Sequence, residues 1–168
     1  MSINTPLLME LQHEMKSSRK MLERVPFEQG AWKPHEKSSS LLALAAHVAR
    51  VPSWVERAIT MDEFDMGIPG AFPKVEPPKD MNELLGIFDK HAATAIALLE
   101  GASDETLMKP WTFRNGEKVF FTMPKAAVIR NMAFNHHYHH RGQLSVYLRL
   151  LNVPVPGMYG PSADEQRM

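Results

Sequence analysis

Apolar residues recur at helical spacing in four stretches of the chain, and each stretch has recognisable ends. The first runs from about Thr5 to Val25, with Leu8, Leu11, Met15, Leu22 and Val25 along one face. Thr5 followed by Pro6 is a start signal, because a proline at the first helical position forfeits no intrahelical hydrogen bond. The second stretch begins after Ser38-Ser39-Ser40 and repeats Leu41, Leu44, Val48, Val51 and Val55. Pro52 falls inside that pattern and predicts a kink or a change of direction. The third follows Pro77-Pro78, carries Leu84, Leu85, Phe88, Ala92, Ala95, Leu98 and Leu99, and stops at Gly101, where a C-terminal glycine is expected. The fourth opens at Thr122 or Pro124 and continues through Ile129, Ala133, Leu144, Tyr147 and Leu151.

The connections refine the picture. Residues 62–79 are rich in Gly and Pro and predict a long crossover between the second and third helices. Such a link lets successive helices run parallel, unlike a simple up-down bundle. Between the third and fourth helices, Trp111-Thr112-Phe113-Arg114 and Lys118-Val119-Phe120-Phe121 flank Asn115-Gly116, a pair that favours a type I′ turn. The expected fold is all-α: one domain over residues 1–168, a four-helix bundle with a short β-hairpin inserted before the last helix.

Composition narrows the function classes. The chain has 168 residues, 44% of them hydrophobic and 23% charged, which is ordinary for a soluble globular protein. Formal net charge is zero and no Lys/Arg cluster stands out, so nucleic acid is not the expected partner. No stretch has the uninterrupted apolar length of a membrane span, and the N-terminal residues lack the pattern of a signal peptide. The expected address is the cytoplasm. There are no cysteines, which removes disulfides, thiolate ligands and cysteine nucleophiles together.

Histidine remains as the metal-binding side chain. Four of the eight histidines fall within Asn135-His136-His137-Tyr138-His139-His140-Arg141-Gly142-Gln143, inside the fourth helical pattern. Residues four apart share a helix face, so His136 and His140 can address one ion. They occupy positions where that stripe otherwise carries aliphatic residues, whereas His137 and His139 are read as flank or rim. His47 holds a similar place on the second helix, between Leu44 and Val51. Three neutral imidazoles around one cavity bind a divalent metal and leave a position for water or substrate. The plainer alternative is a histidine cluster on a wet helix face, at a dimer contact. His91, beside the stripe of the third helix, competes as a fourth ligand or lines the pocket. His13 and His35 read as surface or loop residues.

Taken together, His47, the His136-x-x-x-His140-Arg141-Gly142-Gln143 signature and the tail Pro156-Gly157-Met158-Tyr159-Gly160-Pro161-Ser162-Ala163-Asp164-Glu165 resemble the DinB / YfiT-like family of metalloenzymes. Trp32-Lys33-Pro34-His35 and the segment from Trp111 to Phe121 fit the likeness, which covers nearly the whole chain. The resemblance implies a four-helix bundle of unusual connectivity, often dimeric, with a divalent metal on His47, His136 and His140. Its wider superfamily includes thiol-dependent transferases and a mycothiol-dependent isomerase, while many members have no assigned reaction.

The expected activity is therefore metal-dependent: transfer of a low-molecular-weight thiol to an electrophile, or activation of water for hydrolysis. No catalytic residue is assigned; Glu14, at the inner edge of the first helix, is the single candidate base. Zinc or nickel are the first choices for the ion, with iron and copper also suited to imidazole. The competing expectation is a metal-binding stress-response protein without turnover, whose closed site would use His91. Gly142, expensive inside a helix, suggests close packing or backbone approach. Arg141 is read as a solvated or structural charge, and Gln143 as an orienting or anion-binding group. Met and aromatic residues outside the predicted core favour a homodimer.

Overall fold

The computed structural model describes residues 2–73 and 75–165. Helix α1 spans Asn4–Leu22 and buries Leu7, Leu11, Met15, Met21 and Leu22. Ser40 opens α2 (Leu41–Arg50) by accepting the Ala43 amide at 3.3 Å. The chain stays helical through Pro52 into α3 (Ser53–Thr60), so the expected break is a division of one helical path rather than a reversal. A short strand, β1 (Glu63–Asp65), follows before the irregular crossover. Asp80 caps α4 (Met81–Glu100) through the Glu83 amide, and α5 (Asp104–Met108) is a single short turn.

Strands β2 (Pro110–Asn115) and β3 (Lys118–Pro124) pair antiparallel, as the hairpin signal requires. Two details differ from expectation. First, β1 lies parallel beside β2, giving a three-stranded mixed sheet in the order β1-β2-β3. A three-residue strand leaves too short a pattern to be read locally, and its hydrogen-bond partners lie about fifty residues on in the register Phe64 to Phe113. Second, Asn115 pairs with Lys118, so the turn residues are Gly116 and Glu117. Gly116 has φ +58 while Glu117 does not adopt positive φ, the pattern of a type II′ turn instead of type I′. The Asp65 carboxylate accepts the Gly116 amide at 2.8 Å and holds the turn against β1.

The last long helix begins as α6 (Lys125–Val128), widens into π geometry over Ile129–Asn135, and continues as α7 (His136–Leu150). The His136 amide reaches the Asn131 carbonyl five residues back. This changes the register assumed from a uniform 3.6-residue period. The buried line runs Ile129, Ala133, His137, Arg141, Leu144, Leu148. His136 and His140 lie one residue off that line, and α7 packs beside α2. Helix α4 packs on α1, α2 and α3, enclosing Leu84, Phe88, Ala95 and Leu99 in the core. No helix among the described residues is long and apolar enough to cross a membrane.

Candidate metal centre

Helix α2 turns Leu44, Ala45, Val48 and Ala49 into the core and leaves His47 on the edge facing α7. From α7, His136 and His140 approach it one turn apart. The Nε2 atoms of His47 and His136 lie 3.1 Å from one another. Ring centroids are 5.0 Å apart for His47 and His136, 4.4 Å for His47 and His140, and 4.7 Å for His136 and His140. One ring nitrogen from each residue falls within 4.8 Å of the other two.

The far side of the His140 ring is tied down. His140 Nδ1–H donates to Gln143 Oε1 at 2.8 Å. The Met132 carbonyl, one turn back, lies beside the His136 ring, whose Nε2 faces His47. A hydrogen bond at Nδ1 fixes the tautomer that presents Nε2 as a lone pair. All three imidazoles are pushed toward the neutral form. Burial holds His47 down to about 4, with the nearby His140, His136 and Arg50 adding to it. His136 is lowered by burial and then by His140; His140 is lowered by burial, against the opposing hydrogen bond from Gln143. His47 keeps an exposed edge, but its ring nitrogen is wedged between the other two rings, and that setting governs its charge.

Two neutral Nε2 atoms cannot hydrogen-bond one another as lone pairs, yet they match joint ligation. Nitrogens bonded to one tetrahedral ion at 2.0–2.1 Å stand about 3.3 Å apart. The cluster therefore has the donor type and protonation that suit a divalent ion, and the His47–His136 pair has the spacing as well. His91 does not join it among the described residues; it lies half-buried on α4, lining the cleft that His47 borders. His13 and His35 are exposed, and His139 is an exposed neighbour of His140.

Behind the cluster lies a polar group that periodicity placed wrongly. His137 is not a rim residue: it is 1% exposed, with Nε2 2.6 Å from Ser18 Oγ and no partner for Nδ1 among the described residues. Burial drives it down to about 3, so it too is neutral. Arg141 is not solvated; it is paired with Glu14 at 2.5 Å and donates to Ser18 Oγ at 3.0 Å and Tyr159 Oη at 2.7 Å. Glu14 is thus committed to an ion pair and does not face the histidines as a base. Tyr159 brings the C-terminal tail against this group, and Arg149 with Asp164 fastens it further along α7. Gly142, expected in close contact, is exposed with open space around its Cβ position. The widened helix segment accounts for the slip of His137 and Arg141 onto the buried line.

Fold and cluster together define a largely helical protein whose three converging histidines are able to hold one metal ion. The sequence matches the DinB family over residues 1–168, and the chain belongs to that family. It is similar to the crystal structure of a DinB-like protein from Bacillus subtilis, with 18% identity, a TM-score of 0.68, and coverage of 98% of this chain and 100% of that one. A DinB-like protein from Bacillus cereus gives 22% identity and a TM-score of 0.68, over 90% of this chain and 95% of the other. At such identities the likeness speaks for the fold. No curated protein sequence matches the chain.

Proposed function

We propose that this protein is a divalent-metal-dependent enzyme for small molecules, with His47, His136 and His140 as the ligands. The observation that carries the reading is the convergence of Nε2 atoms from two helices while Nδ1 of His140 is engaged by Gln143. No fourth His, Cys, Asp or Glu completes the set among the described residues, so coordination positions stay free for a reactant. An ion held by neutral ligands alone keeps its full charge and lowers the pKa of a bound thiol or water. The family likeness favours a low-molecular-weight thiol, transferred to an electrophile, over hydrolysis. Zinc or nickel suits the donor set first, with iron or copper as further candidates.

The protein's own part is positional. Gln143 orients the His140 imidazole, and the buried Arg141–Glu14 pair fixes α7 against α1 behind the cluster. The four long helical paths, α1, α2 with α3, α4 and residues 125–150, are read as a bundle with one long crossover. Homodimerisation belongs to the same proposal and is tested by light scattering in solution.

Elemental analysis of untagged protein, followed by thiol and electrophile panels, tests the function. About one ion per chain is expected, with metal and turnover both lost in His140→Ala and both kept in His13→Ala. A chain that takes up no ion at neutral pH overturns the proposal; a loaded chain without turnover restricts it to metal binding.

A further inference from the structure

A cleft of about 700 Å³ opens beside His47, within the size range of small-molecule sites. One wall is a stripe of the α2–α3 path, facing Phe72, Pro73 and Val75 of the crossover and His91 of α4. His47, Arg50, Trp54 and Arg57 follow at intervals of three, four and three residues, the spacing of one helix face, and all line the cleft. Charge on that wall is lopsided. Arg50 and Arg57 supply cations, and Glu56, an exposed side chain, is the one acid in the lining among the described residues.

Among the described residues neither guanidinium is hydrogen-bonded to a carboxylate, although Glu83 lies within electrostatic reach of Arg50 and Glu56 of Arg57. Arg50 donates to two neutral main-chain carbonyls, Ala46 at 3.1 Å and Glu76 at 3.3 Å, which hold the group in place without cancelling its charge. Arg57 lies over the rings of Trp54 and Phe64, 4.9 Å and 5.2 Å from their centroids, and has no hydrogen-bonded or ion-paired acid among the described residues. Both side chains are half-buried, and burial lowers the pKa of each. A partly desolvated cation without a bonded counter-ion is costly, and a bound anion relieves that cost. A guanidinium stacked on an aromatic face keeps its N–H edge available for the two oxygens of a carboxylate.

We infer that this cleft binds a small carboxylate-bearing molecule, gripped by Arg50 and Arg57 with its apolar body against the exposed Phe72 and Val75. The inference names a substrate class for the proposed metal site and rests on that reading for the fate of the bound molecule. Grip by the arginines, however, does not need the ion. On that basis the carboxylate is the handle, and the rest of the molecule extends toward His47.

Binding is tested with benzoate, its uncharged counterpart benzamide, and inorganic phosphate, each titrated into the isotope-labelled full chain and followed by amide chemical shifts. The chain is used as purified and again after chelation. Saturable millimolar binding of benzoate is expected in both forms, with shifts centred on residues 47–60, and none with benzamide. Arg57→Gln and Arg50→Gln should each weaken benzoate at least about tenfold, and Arg57→Lys should keep part of the affinity. Equal binding of benzamide, preference for phosphate, or no saturable binding overturns the inference. So does benzoate binding that needs the metal and survives both glutamine variants, a result that would leave the metal site itself standing. A chain that binds no metal yet holds benzoate through Arg57 would retain the anion site and refute the metalloenzyme reading instead.

Discussion

Arg141 and Glu14 meet at 2.5 Å across the contact between α7 and α1, with side chains only 4% and 6% exposed. Arg141 follows the candidate ligand His140 directly, so the pair anchors the helix at the point where the cluster forms. Its energetics are asymmetric. Removing one member strands the other charge in a dry setting, whereas replacing both avoids the desolvation cost altogether.

Arg141→Ala is therefore expected to lower unfolding free energy by about 3–5 kcal/mol, while Glu14→Leu combined with Arg141→Met costs far less. Urea unfolding of the three proteins checks this. A single-variant loss below about 1 kcal/mol, the range of exposed pairs, would show that the contact is not dry.

Gln143 acts on the site through His140. With Gln143→Ala the imidazole loses the acceptor that fixes its tautomer, and metal affinity should fall by about 10–100-fold. Competition against a chromophoric chelator measures that drop, and circular dichroism should show the same fold. An unchanged affinity would mean that the 2.8 Å hydrogen bond does not orient the ring.

Gly142 offers a stabilising change next to the same site. A Cβ there meets nothing within 4 Å. Inside a helix, Gly→Ala reduces the freedom of the unfolded chain, so Gly142→Ala should gain about 0.5–1 kcal/mol. Thermal melts would register the gain as a raised midpoint; a lowered one would reveal a requirement for glycine that free space does not explain.

The tail carries a pH dependence of definite sign. Asp164 is held down to about 2, first by its hydrogen bond to Arg149 and then by the Val155 amide. A carboxylate lowered in the folded state contributes its stability above its unfolded value, near 3.9, and loses it as pH falls toward 2. Asp164→Asn should melt below the parent at pH 6, with the gap closing between about pH 4 and 2. A gap that stays constant across that window would assign the effect to packing rather than charge.

Much of the site was legible because histidine is conspicuous where a stripe calls for aliphatic residues. His47, His136 and His140 stood out in that way, and the structure gathers all three. The helices were legible from equally local features: the Leu and Val repeats of α2, the Pro52 break, and Gly101 after α4. What escaped depends on partners distant in sequence or on departures from ideal period. Strand β1 has meaning only beside β2. The turn at Gly116 is set partly by Asp65, from another strand. His137 looked like a flank residue because the period was taken as uniform, while Arg141 could be read as solvated, and Glu14 as free, because neither partner was visible. Arg50 and Arg57 share a face only if the helical path continues through Pro52.

The π geometry of Ile129–Asn135 has a consequence for how the protein tolerates change. A helix is a screw, and one residue more or less in its thread turns everything downstream by about 100°. The π segment houses one residue more than an ordinary helical path of the same phase, so deleting one residue there would restore an ordinary pitch with His136 and His140 still turned toward α2, whereas an insertion would swing the imidazoles about 100° away. Loss of a residue is thus tolerated where gain is not, and the segment acts as the phase setting of the centre.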